Sequence, residues 1–283
     1  MSKIEWCDLT LNIITGCLGH GNGTCPYCYA LKQAKRFKGY SQEATNLHYY
    51  GENLDNELYT ENNGTYDLYC PLYKFDKDKK TVKAPYPFGF QPTFHRYRLD
   101  EPAKRKKPTT YFVGSMADMF GDWVPDEWIE RVFSVCESLP QHKWLFLIKN
   151  PKRYVQLADK GILKPHANFW YGNTATTLID VKMETLAQKF NTFLSIEPIQ
   201  EEMILAPWIV CGNLKPIWKA IICGTETGNR ADKTVALQEW IHGIVSDCHD
   251  AKIPIFLKPN LISIVGEDLV LANQKLPWRF ANA

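Results

Sequence analysis

At 283 residues, 45% hydrophobic and 23% charged, the chain is long enough for one large domain with a substantial core. The polar start MSKIEWCDLT and the lack of any apolar run of bilayer-spanning length argue against a secretory leader or membrane span, and predict a cytoplasmic protein without membrane contact. Nine cysteines, an odd and unevenly scattered number, argue against a secreted disulfide framework and for reduced thiols; the net charge of +2 excludes nothing by itself.

The first predicted element is a strand, LTLNII at 9–14, followed by the run TGCLGHGNGTCPYCYA. This run has the makings of a metal box. Cys25 and Cys28 have the C-x2-C spacing that lets two thiolates converge on one centre, and Cys17 reaches the same point across a loop made pliable by Gly16, Gly19, Gly21 and Gly23. A structural zinc site takes four protein ligands, whereas an iron-sulfur cluster held by three thiolates keeps one iron free for another ligand. ALKQAKRF then puts Ala30, Leu31, Ala34 and Phe37 on one helical face before Gly39, which completes a first βα unit.

An insertion at 40–108 follows and divides by charge. Tyr40 to Tyr73 holds six acids and no Lys or Arg, while Cys70 to Pro108 holds 11 Lys and Arg against 4 Asp and Glu, a net of +7. The basic part also carries Tyr73, Phe75, Tyr86, Phe88, Phe90, Phe94 and Tyr97. Rings set between cations suit the stacking of bases and the holding of phosphates, so a nucleotide or nucleic acid is the expected partner; solvated turns at KDKK and AKRKKP are the plainer reading.

Beyond the insertion, strands and helices alternate. Strands are predicted at TYFV (110–113), WLFLI (144–148), NFWYG (168–172), TFLSI (192–196), WKAIIC (218–223) and IPIFL (253–257). Helices are predicted over 126–139, from 149 to near Gly161, around 181–190 and over 234–251, with Cys136 and Cys248 as small core residues. Continuous apolar strands separated by amphipathic helices imply an α/β fold with a parallel sheet, a TIM-type barrel, partial or complete, in one domain spanning 1–283. The tail 259–283 is expected to cover one end, with LISIVGEDLVL forming a hairpin around Gly266.

In such a barrel the chemistry lies at the C-terminal ends of the strands. There the sequence places Ser115 and Asp118, Lys149 and Asn150, Asn173 and Thr174, Glu197 and Pro198, Gly224 to Gly228 with Glu226, and Lys258. Any one of these is readily a helix cap or a surface charge. Together with the cysteine loop they predict a polar pocket.

The Cys25-Pro26-Tyr27-Cys28 run resembles the end of the radical S-adenosylmethionine (SAM) signature, although seven residues rather than three separate Cys17 from Cys25. The whole chain is similar to a phage-associated group of radical-SAM-like proteins. The matching segments are Ile4 to Asp8, Gly16 to Ala30, His95 to Leu99, Phe112 to Phe120, Lys149 to Pro151, Ser195 to Pro198 and Gly224 to Gly228. It departs from that group at Asn150, where arginine is expected, and at Thr225 and Thr227, where glycine and serine are more usual. The resemblance implies that Cys17, Cys25 and Cys28 hold a 4Fe-4S cluster that binds SAM and, given an electron from a donor such as flavodoxin or ferredoxin, cleaves it to a 5′-deoxyadenosyl radical. It further implies Tyr27 beside the adenine and Ser115 with Asp118 at the SAM ammonium. Asn173, Glu197 and Glu226 would take the ribose or methionine end, and Lys149 and Lys258 a carboxylate or substrate phosphate.

A second reading stays open. His20 makes C-x2-H-x4-C-x2-C with the three cysteines, a quartet able to close a tetrahedral zinc site beside the basic aromatic insertion, which would give a zinc-binding nucleic-acid-binding protein without catalysis. A third is a barrel kept as a partner protein with no activity of its own.

Overall fold

Strands buried on both faces read as unbroken apolar runs, and in the computed structural model of the chain these runs form one seven-stranded parallel sheet curled into a half-barrel. The fold is α/β, of partial TIM-barrel type. The structure describes residues 4–19, 25, 28–37, 58–76, 78–176, 183, 186, 188–209, 216–226 and 235–279. Among them no helix is long and apolar enough to cross a membrane. Half of the helix expected around 181–190 lies outside the described residues.

In chain order the elements are β1 (Leu9–Leu11), β2 (Ile14–Thr15), α1 (Tyr29–Phe37), β3 (Tyr59–Asn62), β4 (Thr65–Leu68), β5 (Tyr73–Phe75), β6 (Thr81–Lys83), β7 (Thr93–His95) and β8 (Thr110–Val113). They continue with α2 (Asp126–Ser138), β9 (Lys143–Ile148), α3 (Lys152–Asp159), β10 (Phe169–Ala175), β11 (Asn191–Ile196), α4 (Ala206–Ile209), β12 (Ile221–Cys223), α5 (Gln238–Asp250), β13 (Ile255–Leu257), α6 (Ile262–Val265) and α7 (Glu267–Ala272). The large sheet runs β1-β8-β9-β10-β11-β12-β13. The chain divides into two compact units, one of Met1–Leu9, Pro108–Phe112 and Pro140–Ala283, the other of Thr10–Lys107 and Val113–Leu139.

In the first unit the inward row of the sheet is apolar. Phe112, Leu145, Trp170, Phe193, Ile222 and Phe256 form one buried cluster, with Trp6 and Trp278 inserted among them. Trp278 donates its indole N–H to the Trp6 carbonyl at 2.9 Å, and its own carbonyl accepts from Thr110 Oγ1 at 3.1 Å. Its ring lies 5.0 Å from those of Trp170 and Phe193. The tail therefore fills the interior towards the start of the strands, where Thr110 and Trp170 stand. Gly172 is required beside this row: a Cβ there would come within 2.3 Å of the Phe193 ring.

Two expectations need correcting. The tail around Gly266 is not a hairpin but two short helices, α6 and α7. Gly266, at φ 84°, ends the first, and Glu267 and Asp268 stand at the positive N-terminal end of the second, which fixes helix over strand. The predicted first strand breaks at Asn12, so that Leu9–Leu11 joins the large sheet and Ile14–Thr15 a separate one.

In the second unit the insertion carries ordered strands. A four-stranded sheet runs β2-β7-β4-β3, and β5 and β6 form a hairpin of their own. Phe94 on β7 stacks on Trp128 of α2 with ring centroids 5.3 Å apart, pinning this sheet to a helix that buries Ile129, Val132, Phe133 and Cys136.

Candidate functional site

The cysteine loop is placed by backbone contacts within the second unit. Gly16 has φ +87°, its N–H donates to the Met116 carbonyl at 2.9 Å, and the Cys17 N–H donates to the Phe90 carbonyl at 3.0 Å. Asn12, the residue that breaks the first strand, ties this loop to the one after β8. Its Oδ1 accepts from Ser115 Oγ and the Met116 N–H, both at 3.0 Å, while its carbonyl accepts from Arg98 at 2.7 Å. Tyr29 donates its hydroxyl to the Ser115 carbonyl. Ser115 thus joins the two loops through its side chain and its backbone.

Cys28 starts α1 as a cap. Its Sγ accepts the Leu31 N–H at 3.3 Å, the bond a capping side chain makes to the third helical residue, and its N–H closes a turn on the Cys25 carbonyl at 2.9 Å. Ala30 and Ala34 bury the other face of α1 against Tyr86 and Met116, with Cys28 and Phe90 packed alongside.

The charges round the loop point to a cation-seeking site. Burial pushes the Cys17 thiol up to about 11; the Gly19 N–H, 3.3 Å from its sulfur, opposes this, and Asp118, Cys28 and Cys25 raise it further. Three thiols and a carboxylate therefore stand in one another's field. Asp118 is buried and its Oδ1 accepts the Phe120 N–H at 3.1 Å. Among the described residues no three His, Cys, Asp or Glu side chains stand close enough to share one metal ion. Thiolates that anchor separate irons of a cluster stand farther apart than the ligands of one ion, and a cationic core would offset both the burial and the neighbouring negative groups that disfavour the Cys17 thiolate. The donor set fits such a cluster. Tyr27 and His20 lie outside the described residues.

His95 braces the same unit. It is fully buried, with Nε2 2.8 Å from Thr15 Oγ1 and Nδ1 3.2 Å from the Tyr97 hydroxyl. Burial, and then Arg98, hold its pKa well below the ordinary 6.5, so the ring is neutral. Arg96 forms a bidentate pair with Asp67 and lies 4.6 Å over the Tyr69 ring.

The other polar candidates belong to the first unit. Lys258, just past β13, pairs with Glu197, just past β11, and with Glu5 at 3.5 Å. Burial would lower the Lys258 pKa, but Glu197 and Glu5 more than offset it and leave it raised. Lys258 is thus held between two carboxylates, and Gly224 leaves room for it, since a Cβ there would meet its Cδ at 2.7 Å. Ser195, two residues before Glu197 on the same face of β11, is fully buried, and its Oγ has no hydrogen-bond partner among the described residues. Asn173 is also fully buried, accepts the Trp218 indole N–H at 2.9 Å, and lies on the opposite face of β10 from Trp170 and Thr174. Lys149 is half-buried at the end of β9, and Glu226 is buried behind Thr225, which is clamped by Asn260 through bonds of 2.9 and 3.4 Å.

The residues that reading the sequence overlooked are Asn12, Tyr29, Arg98 and Glu5. Asn12 did leave a signal, a polar residue inside an apolar run. No curated protein and no solved structure matches the chain. The family model for a protein of unknown function, DUF5131, matches residues 1–260. The chain belongs to the DUF5131 family.

Proposed function

We propose that this protein is a radical SAM enzyme whose 4Fe-4S cluster is held by Cys17, Cys25 and Cys28. The observation that carries the reading is the gathering of Cys17, Cys25, Cys28 and the buried Asp118 round one loop beyond the first strand of a partial barrel, near enough that Asp118, Cys28 and Cys25 each add to the rise that burial imposes on the Cys17 thiol. Bound there, the cluster would supply one electron to the sulfonium of SAM, releasing methionine and a 5′-deoxyadenosyl radical that abstracts hydrogen from a substrate. The chain's own residues bind and orient. The Leu31 N–H fixes where the Cys28 sulfur stands, and with three protein ligands the cluster would keep one iron for the amino and carboxylate groups of SAM. Asp118 is the carboxylate assigned to the SAM ammonium. Ser115 acts by holding the loop rather than by touching ligand, since its hydroxyl is engaged by Asn12. Glu197, oriented by Lys258, and the buried hydroxyl of Ser195 make a polar group within the first unit. Lys149 is assigned to an anionic group; Lys258, already paired, is not.

Anaerobic purification with iron and sulfide analysis, then reduction in the presence of SAM, tests the reading through release of 5′-deoxyadenosine. Zinc in place of iron with no nucleoside released overturns it. The His20→Ala variant separates the zinc alternative: loss of metal and fold favours zinc, whereas a brown, SAM-cleaving protein favours the cluster.

A further inference from the structure

We propose that the exposed face of α1 and the β5–β6 hairpin form one surface that binds single-stranded nucleic acid, which names the substrate class of the chemistry proposed above. Its biological purpose rests on that reading; the contact itself does not.

The surface is continuous. Lys74 of the hairpin donates its Nζ to the carbonyl of Phe37, the last residue of α1, at 3.1 Å. The helix contributes Lys32, Lys35 and Arg36, all exposed, and carries no acid. In the hairpin, the register Tyr73↔Lys83 and Phe75↔Thr81 puts both rings and Lys83 on one face. Lys79 and Lys80 extend the positive charge into the turn. Of the two acids there, Asp76 is spent on the turn itself: its Oδ1 accepts the N–H groups of Asp78 at 2.8 Å and Lys80 at 2.9 Å.

The chemistry favours a single strand. Phe37 and Phe75 are 45% and 50% exposed, against the expectation that Phe37 would be buried, and Arg36 lies 5.3 Å over the Phe37 ring. Rings that keep about half their surface in water can each meet one unstacked base, while the lysines meet the phosphates between. Two half-exposed rings make too small an apolar area for membrane insertion. The surface begins on the helix whose first turn is capped by Cys28, so a strand lying along it runs up to the helix of the cysteine box.

The test is fluorescence anisotropy of fluorescein-labelled 20-nucleotide single-stranded DNA and RNA with the full chain, without SAM or reductant. With about five phosphate contacts, raising salt from 50 to 200 mM weakens binding about a hundredfold. Phe75→Ala weakens it about tenfold through lost stacking, and Lys32→Glu/Lys35→Glu weakens it at least as much. Lys152→Glu/Lys189→Glu, the same charge change in the other compact unit, leaves it within twofold. Equal loss in this control, equal affinity for a duplex of the same sequence, or binding to phosphatidylserine vesicles in place of oligonucleotide each overturns the proposal. Because the measurement needs no iron, oligonucleotide binding without deoxyadenosine release sinks the enzyme reading and keeps this one, and the reverse result does the opposite.

Discussion

Replacing Gly16 with alanine probes the link between backbone geometry and the cysteine loop. Its φ of +87° costs an L-residue about 1–2 kcal/mol. The added Cβ would also lie 2.2 Å from the Gln91 carbonyl oxygen, 2.5 Å from its carbon and 2.7 Å from the Phe90 oxygen. These are backbone atoms, and the Phe90 oxygen is the one that accepts the Cys17 N–H. Relief of the clash must therefore move the turn before β7 and give up this bond, for a total of about 4 kcal/mol. Gly89 is the internal control: its φ is +64°, but nothing lies within 4 Å of the position its Cβ would take. Thermal unfolding of the metal-free protein should show Gly16→Ala melting about 12 °C lower and Gly89→Ala about 4 °C lower. Iron bound per chain after anaerobic reconstitution should fall for Gly16→Ala alone. Equal melting shifts for the two variants, with iron content unchanged, would refute the claim that Gly16 sets the position of Cys17.

Lys258→Met leaves Glu197 and Glu5 facing each other without their cation. Because these carboxylates keep 31% and 38% of their side-chain surface in water, the expected loss is about 2 kcal/mol rather than that of a fully buried pair. Since the Lys258 pKa is raised in the folded state, its contribution is complete below the ordinary 10.5 and lost as pH rises above it. Melts of the two proteins from pH 6 to 11 should differ by a constant amount until about pH 10.5 and then converge. His95 has the opposite sign. Its folded pKa lies below 6.5, so stability falls by up to about 1.4 kcal/mol per unit as pH drops under 6.5; His95→Gln should remove this slope from denaturant titrations at pH 7 and pH 5, and an unchanged slope would locate it elsewhere. At pH 8 a thiol at about 11 holds roughly a hundredfold less thiolate than one at its ordinary 9.0. Mass-spectrometric mapping of iodoacetamide labelling should find Cys17 slow in the apoprotein and faster in Asp118→Asn, and labelling as fast as that of a free small thiol would contradict the field described here.

Strand alternation decided what could be read in advance and what could not. The apolar runs at Thr110–Val113, Lys143–Ile148 and Asn191–Ile196 were legible because a strand covered on both faces is built mostly from apolar residues. Which polar residue beyond each run faces inward depends on register, and register is a pairing between distant segments. Asn173 looked equivalent to Thr174 in sequence, yet pairing of Gly172 with Leu147 and Phe193 puts Thr174 inward and leaves Asn173 to receive Trp218 on the far side. The Glu5 partner of Lys258 was illegible for the same reason, since 253 residues separate them and no local pattern joins them. Gly266 misled because LISIV and DLVL alternate well enough for strands; the acids at 267 and 268 were the better signal. The aromatics of the insertion were legible as a group but not one by one: Phe94 went into the core and Phe75 to the surface.

The cysteine loop joins two opposed demands. Its backbone is set in advance: Gly16, the carbonyls of Phe90 and Met116 and the side chain of Asn12 fix where Cys17 leaves the sheet, and the Cys28 cap fixes where α1 begins. Its protons are not. A thiol near 11 beside Asp118 and two further thiols keeps its proton at neutral pH, so a metal core can enter only by displacing it. Pre-paid backbone order lowers the entropy of ligation, while the proton that must be released makes assembly depend on pH. Asp118, buried beside Cys17, adds to the rise in its pKa, so one acid disfavours the free thiolate while a carboxylate so placed favours a cationic neighbour.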